Sequence, residues 1–271
     1  MLHVFNFSSS CSCGIENSDE IVEQLMHYSA NKYPWIVAIR WQSNRCTPSG
    51  YTDHHCAPGV FQPTYEFATG TLISDLFVVT VASFYDAIND NDKEREKEKK
   101  ESIRVKPGAS VWAKKDCCNE ILQWQEIEQE IYFHPYYEDD NYKPSNDISY
   151  NVALIKLKRR LSFYEDGVTK IGVRPICLPT PGQTRMIDLP DDQTLLMGRN
   201  LGAVEAKVLI QLECIRSIEI EDEGSNMRML NDQICAHHKD PQQVFIDDCD
   251  SGDLETYGDL GAPIFMKENE R

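Results

Sequence analysis

Positive charge is in short supply in this chain: 27 Lys and Arg stand against 44 Asp and Glu, a net charge of −17 over 271 residues. Phosphate backbones are bound by clustered cations, so nucleic acid is excluded as an expected partner. An acidic surface favours solubility and basic partners without naming one. Long apolar runs are missing too. No stretch is long enough to span a bilayer, and Met1 to Phe7 is too short for a signal-peptide core. Paired Cys-x-x-Cys motifs are absent, and Cys11-Ser12-Cys13 and the adjacent Cys117-Cys118 do not have metal spacing. His54-His55 lie in a polar loop and His237-His238 have no third ligand nearby in sequence. No metal and no cofactor are therefore expected.

What the chain does have is cysteine. Ten cysteines spread along it point to an oxidising compartment and disulfides. Cys46 and Cys56 flank a segment carrying Pro48, Gly50 and Pro58, most simply a loop closed by a Cys46–Cys56 bridge. Asn6-Phe7-Ser8 is an N-glycosylation sequon on Asn6, consistent with secretion. A signal peptide is nonetheless not visible, which leads to the expectation of either a longer precursor or a shortened isoform. A hydrophobic content of 41% fits an ordinary globular protein built as one large β domain or two small lobes.

Strand signals dominate. Residues 1–20 are polar and irregular and read as an extended arm. Residues 33–39 read as a first strand with Pro34 at its start, where a missing N–H is tolerated. Residues 67–74 and 77–84 are β-rich apolar runs joined by a turn near Asp75, and residues 102–111 and 121–132 alternate enough to be strands. Residues 86–101 mix charges with no apolar face, which predicts a solvated loop or a short exposed helix.

Several spaced motifs then agree. Tyr33-Pro34-Trp35-Ile36-Val37, Phe67-Ala68-Thr69-Gly70-Thr71-Leu72-Ile73, His134-Pro135-Tyr136-Tyr137, Asn151-Val152-Ala153-Leu154-Ile155-Lys156-Leu157, Pro175-Ile176-Cys177-Leu178-Pro179, Ile234-Cys235-Ala236 and Gly258-Asp259-Leu260-Gly261-Ala262-Pro263 occur in order. Together they resemble the chymotrypsin-like serine peptidases over about residues 13–266. The resemblance implies an all-β fold of two antiparallel six-stranded barrels, the second truncated at its C-terminus. It divides the chain into the arm at 1–20 and a peptidase domain at 21–271, with a first barrel mainly at 21–160, a linker at 161–185 and an incomplete second barrel at 186–271.

The resemblance also implies where chemistry should sit, and each such position is changed. The general-base histidine falls on Ser83, the aspartate that orients it on Asn151, and the nucleophile on Leu260, whose side chain has no nucleophilic atom. Asp147 lies about 13 Å along the strand from Asn151 and reads as a turn residue. Gly258 and Asp259 remain as a remnant of the oxyanion turn. The activation site ahead of Ile21-Val22-Glu23-Gln24 carries Glu20 where the cleaving enzyme needs Arg or Lys. Ser251, in Cys249-Asp250-Ser251-Gly252, offers a rival register for the nucleophile.

Disulfides follow the same logic. The resemblance implies Cys13–Cys177, tying the arm to the inter-lobe linker, and Cys214–Cys235. Two family bridges are gone as whole pairs, one falling on Ala68 and Phe84, the other ending on Met266. Cys11, Cys117, Cys118 and Cys249 are left without assigned partners. The reading that results is a secreted, catalytically inactive serine protease homologue. It would act by binding proteins, such as proteases, zymogens or inhibitors of an extracellular cascade, with no membrane insertion. The alternatives are an active endopeptidase using Ser251 with an unidentified base, and a truncated product without independent function.

Overall fold

The computed structural model describes residues 13–18, 32–43, 64–85, 88, 93–108, 124–137, 150–165, 168–169, 173–178, 193–199, 202–209, 235–238 and 264–268. Six of its strands close into a barrel: β1 (Ile36–Ser43), β2 (Thr64–Leu72), β3 (Phe77–Thr80), β4 (Arg104–Pro107), β5 (Gln125–Phe133) and β6 (Ala153–Leu157). Their order around the barrel is β1-β2-β3-β6-β5-β4, all antiparallel. Closure removes free edges from this lobe.

Alternation explains why these segments are strands. In β6, Ala153, Ile155 and Leu157 are buried while Leu154 and Lys156 are not, the period-2 pattern of a one-sided strand. The barrel core collects Ile36, Ile39, Trp41, Leu72, Val78, Phe84, Val105, Ile155 and Leu157, each essentially without exposure. Gly70 in β2 is required by packing. A Cβ there would lie 2.7 Å from Val78 Cγ1 and 3.1 Å from Ile39 Cδ1, closer than side chains approach.

Several strand boundaries differ from expectation: β2 is Thr64–Leu72, β3 stops at Thr80 and β5 is Gln125–Phe133. The first strand begins at Ile36, not at residue 33, because Tyr33 to Trp35 turn and the Ile36 N–H closes on the Tyr33 carbonyl at 3.0 Å. Ser102 does not open a strand. It ends helix α1 (Lys93–Ser102), where its Oγ donates to the Lys99 carbonyl at 2.6 Å and accepts the Gln42 N–H of β1 at 2.8 Å.

Helix α1 is the exposed helix of the two forms the charge run allowed, and its cohesion is electrostatic. Glu96 accepts from Lys93 at 2.8 Å and from Lys100, the i−3 and i+4 neighbours. Hydrogen bonds from Lys100 and Lys93 hold the Glu96 carboxyl below its ordinary range. Lys100 is opposed by burial, but its bonds to Glu96 and Tyr85 prevail and its ammonium is held above its ordinary range. Its Nζ also lies 4.8 Å from the Tyr85 ring centre.

The arm and the linker fasten to the barrel together. Cys13 and Cys177 are joined by a disulfide, and the Gly14 N–H bonds to the Pro175 carbonyl at 2.9 Å. Gly14 has φ +68°, a left-handed conformation natural to glycine, and a Cβ there would meet Cys177 Sγ at 3.0 Å. The linker in turn bonds to the barrel through Ile176 N–H to the Leu72 carbonyl at 2.9 Å.

Beyond the linker lies a four-stranded antiparallel sheet. Its order is β11 (Cys235–His238), β10 (Gly202–Leu209), β9 (Gln193–Arg199) and β12 (Ile264–Glu268). A two-stranded ribbon, β7 (Tyr164–Glu165) with β8 (Val168–Thr169), lies within the linker. Leu196 of β9 and Val173 of the linker join the same buried cluster as the barrel core. In β12, Met266 pairs with Leu195, three residues before Gly198.

Candidate functional site

Two of the three positions where the resemblance places catalytic residues are described, and the fold brings them together. Ser83 lies in a short 3-10 turn, Ala82–Tyr85, directly after β3. Ala82 and Phe84 on either side of it are buried, which fixes the turn and aims Ser83 away from the core. Asn151 leads into β6, the strand paired with β3, in register Thr80 to Ala153. The paired strand ends deliver both residues to one place.

The approach to Asn151 is unusual. Tyr150 has φ 58°, a left-handed value rare for a bulky residue, and the Val152 N–H closes back on the Tyr150 carbonyl at 2.7 Å. This tight turn presents the Asn151 amide to Ser83. The Ser83 N–H donates to Asn151 Oδ1 at 2.8 Å, and Asn151 Nδ2 donates to Ser83 Oγ at 3.0 Å. The amide thus satisfies both a main-chain donor and a side-chain acceptor of one residue.

The chemistry open to this pair is narrow. A serine hydroxyl and a carboxamide neither take up nor release a proton near neutral pH. His134 is the one histidine whose side chain is described, and it is engaged elsewhere: its ring stacks on Tyr150, and its Nδ1 accepts the Tyr136 N–H at 3.2 Å. Among the described residues no group of three or more His, Cys, Asp or Glu is placed to hold a metal ion.

Phe84 and Ala68, where the resemblance puts one lost bridge, both belong to the buried cluster with no exposure, and Phe84 packs on Trp41 at 6.0 Å between ring centres. Burying a phenylalanine contributes about 1.5–3 kcal/mol. A disulfide typically contributes about 2–4 kcal/mol. Packing of this size offsets the loss of the bridge.

The other expected positions fall elsewhere. Leu260, Gly258, Asp259, Ser251, Asp147, Cys46, Cys56, Cys214 and Asn6 lie outside the described residues, and of Cys235 only its backbone place in β11 is described. One feature was not foreseen: the rings of His134, Tyr136 and Tyr150 gather into one cluster. Their separation in the chain hides this, and the only local signal is that Tyr150 precedes Asn151.

A model of the family described as Trypsin matches residues 26–253. The chain belongs to the trypsin family. The six-stranded barrel is consistent with that family's all-β fold. Among curated proteins, the CLIP domain-containing serine protease HP8 of Bombyx mori is similar, 23% identical over 231 residues. That match covers 83% of this chain but 54% of the silkworm protein, so the chain spans about half the length of the relative. The trypsin match takes in Ser83, Asn151 and Ser251 and stops before Leu260.

Proposed function

We propose that this trypsin-family chain is a catalytically inactive, secreted serine protease homologue that works by binding other proteins. The observation that carries the reading is the Ser83–Asn151 pair, hydrogen-bonded to each other where the family's base and its orienting acid belong. A nucleophilic serine at neutral pH needs an adjacent base, and in this family a histidine takes the proton while a carboxylate stabilises the cation that forms. Ser83 cannot accept that proton and Asn151 carries no charge to stabilise it. Leu260 at the nucleophile position removes the attacking atom as well. What catalysis persists without the triad comes from binding and oxyanion contacts alone.

Secretion is supported by the cysteine content and the Asn6 sequon. The described residues include no helix long and apolar enough to cross a membrane. Partners of the expected kind are proteases, zymogens or inhibitors of an extracellular proteolytic cascade. The silkworm relative, itself called a serine protease, supports that setting.

A second reading, with Ser251 as nucleophile, is favoured by the extent of the family match, which ends two residues beyond it. The first is favoured by β12, because an apolar strand directly follows the Gly-x-Pro after Leu260. Hydrolysis decides between them. The full chain, secreted from a eukaryotic host and offered a panel of Arg, Phe and Ala chromogenic peptides, is expected to match its Ser251→Ala variant in turnover. Turnover that Ser251→Ala abolishes would establish the second reading and end the first.

A further inference from the structure

The turn that presents Asn151 also builds a surface. His134 and Tyr150 stack with centres 4.7 Å apart and planes 14° from parallel, and Tyr136 meets Tyr150 edge-on at 5.1 Å. The core beneath is closed without them, by Phe133 stacked on Tyr137 at 5.9 Å and touching Tyr85 at 5.0 Å. The outer rings face water: Tyr136 is 44% exposed, Tyr132 40% and the adjoining Val152 38%. Contiguous exposed aromatics of this kind mark interaction surfaces more than folding needs.

Two further observations set this patch apart from ordinary surface. Tyr150 holds its ring there from a left-handed backbone, which costs about 1–3 kcal/mol. The segment is also held in advance of any ligand. The His134 N–H bonds to the Val152 carbonyl at 3.1 Å, the Tyr137 N–H to the His134 carbonyl at 2.9 Å, and the Tyr136 N–H to His134 Nδ1. A surface already ordered loses little entropy on binding.

Charge selects the occupant. On the outward side of β5 and β6, Lys158 is neutralised by Glu126 at 2.6 Å and Lys156 by Glu128 at 2.9 Å. Glu130, two residues before Tyr132 and exposed, makes no ion pair among the described residues. Among the described residues that charge is unpaired, within a chain of net charge −17. Electron-rich ring faces attract cations, guanidinium above all. Resting on the binding role proposed above, we propose that the His134–Tyr136–Tyr150 patch docks an arginine or lysine side chain of a basic protein partner. Long-range attraction to the acidic chain guides the encounter. Tyr150 of the site directly precedes Asn151 in the chain.

The test is calorimetric titration of the full chain with tetra-arginine peptide at low salt. The site predicts measurable binding that Tyr136→Ala weakens by about fivefold or more. Tyr136→Phe, which keeps the ring face, binds as the parent does, and Glu130→Gln weakens binding more than Glu98→Gln on the distant helix α1. Tyr136 is exposed, so an unchanged melting temperature shows that its variants are folded. Equal binding by Tyr136→Ala, or equal losses from Glu130→Gln and Glu98→Gln, overturns the site in favour of diffuse charge attraction. Binding of a neutral chitooligosaccharide in place of the peptide, lost in Tyr136→Ala, overturns it in favour of a sugar surface. These outcomes leave the absence of hydrolysis untouched, and hydrolysis through Ser251 would leave this site standing.

Discussion

Asn151 holds Ser83 by two hydrogen bonds, accepting from its main-chain N–H at 2.8 Å and donating to its hydroxyl at 3.0 Å. The two residues are 68 apart in sequence, and the pairing of β3 with β6 joins them. The geometry is that of a structural tie between a turn and a strand. It keeps a corner of the barrel in place.

The tie makes Asn151 a stability residue. Asn151→Ala removes both bonds and leaves the partly buried Ser83 N–H without its acceptor, at a cost of about 1–3 kcal/mol. Asn151→Asp keeps an acceptor for that N–H and the Ser83 hydroxyl can turn to donate, so its loss is smaller. Urea unfolding of the two variants checks the order, and equal losses would contradict it.

Gly70→Ala tests the barrel. Its Cβ would press on Val78 of the paired strand β3 and on Ile39 of β1, both fully buried. Overpacking of this kind costs about 1–3 kcal/mol. A lower denaturation midpoint with an unchanged slope is the expected outcome.

Cys13→Ser/Cys177→Ser removes a cross-link spanning 164 residues. Loss of constraint on so long a loop destabilises by about 2–5 kcal/mol. Proteolysis with the bridge reduced or removed is expected to cut sooner near Gly14, whose N–H bonds to the Pro175 carbonyl.

Helix α1 carries an acid-sensitive contact. The Glu96 carboxyl is held below its ordinary range by Lys100 and Lys93, so its folded form binds a proton less readily than the unfolded chain does. Its contribution is present above the ordinary glutamate range and is lost as pH falls through the depressed folded value. Glu96→Gln is expected to flatten the fall in melting temperature across that acidic window and to leave the curve above it parallel to the parent's.

Much of this architecture could be read from local pattern. The alternation in residues 153–157 gives β6 directly, because one-sided burial imposes period 2. The family resemblance implied a Cys13–Cys177 bridge, and the structure joins the two cysteines. Boundaries were harder. Trp35 looked like strand because it is apolar, yet the hydrogen bond from Ile36 to Tyr33 makes a turn there. Ser102 reads as a β residue by neighbourhood, but its hydroxyl caps a helix. Residues 93–102 have no apolar stripe, so helix and loop were equally open until the i+3 and i+4 ion pairs were in view. Ser83 and Asn151 were visible in sequence as positions that the resemblance marks. Their mutual hydrogen bonds were not, since only strand pairing sets that distance. The ring patch was hidden for the same reason.

The proposed function requires that no serine in this chain is activated for attack. A fluorophosphonate probe reacts with activated serines, and peptide mapping by mass spectrometry locates any adduct. Applied to the full, natively disulfide-bonded chain at neutral pH beside active trypsin, it is expected to label trypsin and leave every serine here unmodified. An adduct on Ser251 that disappears on prior denaturation would contradict the claim.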